Sequence, residues 1–150
     1  MTTFSASLRR ASAVALAAFL AASVGAAEIG QIKVSNGPVT VERKGESRPG
    51  SVGTRLESSD VVRTGAAGSV GITMVDNSLL SAGPNSVLSL DRFDFDPTSN
   101  QGRFDAQLQK GTLAVISGRI AKQSPESMTV RTPSTILGVR GTEFAVAAND

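Results

Sequence analysis

The sequence contains no Cys, His, Trp or Tyr. Without thiols there is no disulfide, no thiolate nucleophile and no thiolate metal site. Without imidazole neither a Ser-His nor a Cys-His catalytic couple can form. A zinc site would need carboxylates alone, an unusual ligand set. The missing Trp and Tyr remove the rings that most often platform a sugar or stack a nucleobase. Motifs that work without these residues are also missing. Ser117 and Lys122 stand five apart, not at the Ser-x-x-Lys spacing of acyl-transfer enzymes. Gly65-Ala-Ala-Gly68-Ser-Val-Gly71 has no Lys in the phosphate-binding place, and we read it as a hairpin turn; Ser117–Lys122 is read as a loop between strands. No cofactor, no metal and no enzymatic activity are expected.

The first stretch has the parts of an export signal. Arg9 and Arg10 precede an uncharged, Ala-rich run from Ala11 to Val24, and Gly25, Ala26 and Ala27 supply small residues before Glu28. A charged start, a short apolar run and a small-residue exit define a secretory signal peptide. The run sits at the short edge of the ~20 residues that a membrane span requires. Residues 1–27 are therefore expected to be a signal-peptide helix cleaved after Ala26 or Ala27, leaving no stable membrane anchor and a protein in the periplasm or secreted. Arg9 and Arg10 belong to that segment, and the remaining 13 basic residues balance the 13 acidic ones. The folded part is neutral, so it lacks the basic surplus that nucleic-acid binding needs.

Beyond the signal, apolar and polar residues alternate strictly in short runs: Val39–Val41, Val70–Met74, Phe104–Leu108, Leu113–Val115, Met128–Val130 and Phe144–Val146. Such alternation turns one face of a strand inward and the other outward. Between the runs stand Asn36-Gly-Pro38, Lys44-Gly45, Thr64–Gly68, Asp76-Asn-Ser78, Gly83-Pro-Asn85, Ser99–Gly102, Lys110-Gly111 and Thr132-Pro133, each with turn chemistry. Residues 28–150 are expected to form one all-β domain of short strands, either a solenoid-like twisted β-helix or a sandwich. Leu88 and Leu90 share a phase that Phe93 and Phe95 reverse, which predicts a bulge or corner near Asp91-Arg92.

Several segments, taken in order, carry a further signal: Asp60-Val-Val-Arg-Thr-Gly65, Gly68–Ile72, Asp76–Leu79, Gly83–Leu88, Lys110–Leu113 and Thr132–Val146, the last containing Val139-Arg-Gly-Thr-Glu-Phe144. Together they resemble the FecR domain family over residues 37–147. The resemblance implies an extracytoplasmic all-β domain with solenoid-like coils. Its motif residues here are Thr64, Gly65, Asp76, Asn85, Gly111, Thr132, Pro133, Arg140, Gly141 and Thr142, expected to be structural. Asp76-Asn-Ser78 stands where the family carries Asp-Gly-Ser, and Asn tolerates the left-handed backbone that Gly provides there. The family's named members are inner-membrane sensors with a cytoplasmic segment that controls a sigma factor. Only ten residues precede the apolar run here, so the resemblance carries over the module and not sigma-factor control.

Two side-chain groups invite a functional reading. Arg140 lies between Val139 and Gly141; it either presents charge to a partner or ties turn carbonyls, Glu143 or Asp60. Asp91, Asp94, Asp96, Ser99, Asn100 and Asp105 gather oxygen ligands of the kind Ca²⁺ takes, but without the calcium-loop pattern; a solvated strand end and loop is expected. The chain is therefore read as a non-enzymatic exported interaction module. Its expected partner is another envelope protein or cell-wall glycan, and self-association is possible at an uncapped end. The alternative is a periplasmic sensor component of FecR-like signalling acting in trans.

Overall fold

The computed structural model describes residues 26–139 and 141–149. The predicted signal lies almost wholly in 1–25, outside the described residues, as does Arg140. The all-β expectation is borne out. The strands are β1 (Glu28–Asn36), β2 (Val39–Arg43), β3 (Glu46–Pro49), β4 (Arg55–Glu57), β5 (Val61–Thr64), β6 (Ser69–Met74), β7 (Leu79–Ala82), β8 (Val87–Phe95), β9 (Gly102–Ile116), β10 (Met128–Arg131), β11 (Ile136–Gly138) and β12 (Glu143–Ala148), with one short helix, α1 (Arg119–Gln123), before β10. They form a single curled sheet, a half-barrel, rather than stacked parallel coils. Every pairing is antiparallel except β9 with β10.

The long strand β9 organises the sheet. Its first part pairs with β8 and β10, its last part with β7 and β12. Two halves radiate from it. One runs β4-β1-β6-β7-β9-β12; the other runs β3-β2-β5-β8-β9-β10-β11. Alternation places a row of directly opposed apolar residues on the inner face of each. Ile32, Ile72, Leu80 and Val115 make one row, and Val41, Val62, Leu88 and Leu108 the other. All eight are buried in one cluster that draws on both halves. Phe93 and Phe104 close it with an edge-to-face contact, ring centroids 5.2 Å apart, a geometry the ring quadrupoles favour. Truncating Leu88 or Leu108 to Ala here would cost about 2–5 kcal/mol.

The sequence expectations need three corrections. Lys110-Gly111 is not a turn: β9 runs through it, bending at Gly111 with φ 94°. The bend occurs where the pairing with β8 slips between Val87 and Leu88, so one strand serves both halves. Gly65–Gly71 is not a hairpin. β5 and β6 belong to opposite halves, and the segment is a corner between them. Residues 117–122 include the start of α1 rather than only a loop. The predicted phase flip is present, with the β8–β9 register slipping between Ser89 and Arg92.

Candidate functional site

Four crossings between the two halves run close together, and motif residues hold them. The Gly65 N–H donates to the Pro38 carbonyl (2.9 Å), and the Gly65 carbonyl accepts from the Asn85 N–H (3.0 Å). Thr64 is buried at the end of β5. Its hydroxyl donates to the Gly83 carbonyl (2.6 Å) and accepts from the Ser86 N–H (2.9 Å). The Ser86 hydroxyl in turn accepts from the Thr112 N–H (3.1 Å). This ladder stitches the corners 37–38, 65–68, 83–86 and 111–112 into one line along which the sheet folds over. Close approach explains the glycines: a Cβ on Gly111 would lie 2.7 Å from Ser86 Cβ, which no relaxed structure tolerates. Asn85 takes the left-handed conformation at φ 53°, as Asn does more readily than other side chains.

A second motif group anchors α1. Asp76 and Ser78 are fully buried. Asp76 accepts hydrogen bonds from the Ser78 N–H (3.0 Å), the Ser78 hydroxyl (2.9 Å) and the Ile120 N–H (3.2 Å), while Ser78 Oγ accepts from the Gly118 N–H (3.0 Å). The free amides at the start of a helix need acceptors, and here they come from a turn far away in sequence. Asn77 adopts φ 68°, the left-handed backbone that Asn tolerates. Thr132 and Pro133 shape the β10–β11 turn, where the Thr132 N–H meets the Thr135 carbonyl at 2.8 Å. Gly141 (φ 94°) and Thr142 sit at the entrance to β12, both carbonyls accepting from Ser117.

Asp60, fully buried, is held by Arg43. The Arg43 guanidinium donates to both Asp60 oxygens (2.8 and 2.7 Å), to Glu57 (3.0 Å) and to the Arg55 carbonyl (3.1 Å). The hydrogen bond to Asp60 is the main cause that raises the Arg43 pKa above its ordinary value. Sequence inspection missed Arg43, since its partners lie 12 to 17 residues away, beyond β3. The acidic stretch resolves into separate local contacts. Asp91 accepts from Ser89, Asp94 from Arg92, Asp105 from Arg103, and Asp96 from the Thr98 N–H. The Thr98 N–H is the first cause that lowers the Asp96 pKa. Among the described residues no group of three carboxylates converges on a common point.

What the fold offers outward differs between its halves. The β2, β5, β8 and β9 half presents ion pairs such as Arg63–Glu42 (3.1 Å) and Arg103–Asp105 (3.0 Å). In the other half β1 and β4 carry Glu28, Lys33, Arg55 and Glu57, but the strands beyond them are nearly uncharged. β6, β7, β9 beyond Gly111, and β12 carry one charged residue between them, Glu143. The outward positions of these strands include Ser69, Gly71, Thr73, Ser81, Thr112, Ala114, Glu143, Ala145 and Ala147, with Leu79 and Ile116 directly opposed and 41% and 44% exposed. A shallow groove runs between β7, β9 and β12 along Ser81, Gly83, Thr112, Ala114, Ala145 and Ala147.

Comparison with known proteins agrees with this geometry. No curated protein and no solved structure matches the chain significantly. A family described as FecR protein matches residues 60–150, beginning at the Asp60 that Arg43 clamps and taking in the whole corner ladder except Pro38, the Asp76 anchor and the 132–142 motif. The chain belongs to the FecR protein family.

Proposed function

We propose that this chain is a non-catalytic interaction domain of a FecR-like signalling pathway, exported through residues 1–27 and working in the periplasm in trans on a membrane regulator. The observation that carries this reading is the family match over 60–150. The way the family's polar residues are used supports it. Thr64, Asp76 and Thr132 face inward and bind backbone or neighbouring hydroxyls, which leaves recognition to the outer surface. The nearly uncharged face over β6, β7, β9 and β12 has the chemistry of a protein contact, where apolar and small residues allow close approach and charges are few. A protein partner fits better than cell-wall glycan. Phe93 and Phe104 are buried, and Phe95 and Phe144 are half-buried against the core, so among the described residues no ring lies open as a sugar platform.

The test is a transcript comparison in the native host. The chain is deleted, then restored either intact or without residues 1–27. The intact form is expected to restore a narrow set of transcripts under an extracytoplasmic sigma factor, and the form kept in the cytosol to restore none. Equal restoration by both forms, or no transcript change on deletion, would overturn the proposal. Retention of the purified domain on sedimented peptidoglycan would favour the glycan partner instead.

A further inference from the structure

The free edges of the sheet are not alike. An unpaired edge strand is a template for another chain, and proteins ordinarily blunt such edges by shortness, charge or proline. β3 carries Glu46, Arg48 and Pro49. β4 and β11 are three residues each. β12 has six residues, Glu-Phe-Ala-Val-Ala-Ala, with its single charge at the first position and no proline. Among the described residues it pairs only with β9. The Thr142 carbonyl accepts from the Ser117 N–H at 2.7 Å. Alternation along an antiparallel ladder therefore aims the N–H and C=O groups of Glu143, Ala145 and Ala147 away from β9.

We propose that this edge is a homotypic interface, in which β12 pairs antiparallel with β12 of a second copy about a two-fold axis at Ala145. The sequence of β12 is self-complementary in this register. Phe144 falls opposite Val146 of the second copy, twice by symmetry, the aromatic–β-branched combination that stabilises cross-strand pairs. Phe144 and Val146 are only partly buried where they pack against the core, and the second copy completes their cover. Glu143 falls opposite Ala147 of the second copy, at the far end from the other Glu143, so no like charges meet. A parallel pairing in register would set the two Glu143 side chains face to face. The interface joins the two uncharged outer faces into one continuous surface, as an isologous contact does. It uses the strand edge, so it does not depend on the signalling reading.

The test uses the exported full chain in sedimentation equilibrium between micromolar and 100-micromolar concentrations, together with two variants. Ala145→Pro removes an N–H that points away from β9, and it is expected to weaken dimerisation about tenfold or more with an unchanged circular dichroism spectrum. Ala145→Cys introduces the only thiol in the chain. Across a hydrogen-bonded antiparallel pair the two Cα atoms stand about 5.5 Å apart, within disulfide reach. This variant is expected to oxidise to a covalent dimer, whereas Ser47→Cys on the β3 edge stays monomeric. A wild-type monomer throughout the range would overturn the proposal and leave the edge to a different chain. So would a dimer that survives Ala145→Pro and fails to cross-link through Ala145→Cys.

Discussion

Asp60 is a buried carboxylate whose charge is met by one cation. Its oxygens take the Arg43 guanidinium in a two-pronged contact and also the Glu57 N–H at 2.9 Å. Removing Arg43 leaves that charge in the interior without its counter-ion, which typically costs ~3–5 kcal/mol. Arg43→Ala is therefore expected to lower the urea midpoint sharply. Arg48 reaches Glu46 at 3.5 Å with both side chains largely in water, and Arg48→Ala should change stability by less than about 0.5 kcal/mol. Equal effects of the two substitutions would show that Asp60 does not depend on Arg43. Asp76 differs in having only hydrogen-bond donors around it. Asp76→Asn places an amide N–H₂ against groups that also donate, so one is left unsatisfied at a cost of about 1–3 kcal/mol. Hydrogen exchange is expected to quicken at Gly118 and Ile120; unchanged exchange there would show that α1 does not need its distant cap.

At the scale of the element, β9 depends on a bend that only one residue supplies easily. Gly111 is left-handed and pressed against Ser86, so Gly111→Ala combines an unfavourable φ, worth ~1–2 kcal/mol, with a steric collision. Gly141 has the same φ of 94° with no atom within 4 Å, and Gly141→Ala should incur only the first term. Thermal melting of the two variants checks the difference, and a Gly141→Ala loss as large as that of Gly111→Ala would contradict it. The strands visible in the sequence are those whose alternation is unbroken, such as Val70–Met74 and Phe104–Leu108. β1 was not legible, because its register slips twice, between Glu28 and Gly30 and between Ile32 and Val34. Each slip reverses the faces. β3 has no buried residue at all and so no pattern to find. α1 is too short for a 3.6-residue period, and its caps come from Asp76 and Ser78.

For the whole molecule, the decisive arrangement is the line of corners, and the sequence shows its parts without their relation. Thr64, Gly65 and Asn85 are recognisable as turn residues, and Gly111 reads as one although it bends a continuous strand. That they meet at one fold line follows from which strands pair, and it was the pairing that local pattern left open between solenoid and sandwich. The nearly uncharged face was equally hidden, since it appears only when β6, β7, the end of β9 and β12 are laid side by side. The division of labour we propose is that the family's motif residues fold the domain and that its outer surface is left for recognition. The measurement that tests it most directly is signalling output per folded molecule, obtained by scaling the transcript response of Thr64→Ala, Asp76→Asn and Gly111→Ala variants to the folded fraction of each. The account predicts one common value equal to that of the wild type. A variant that is fully folded and exported yet silent would contradict it, because its motif residue would then be touching the partner.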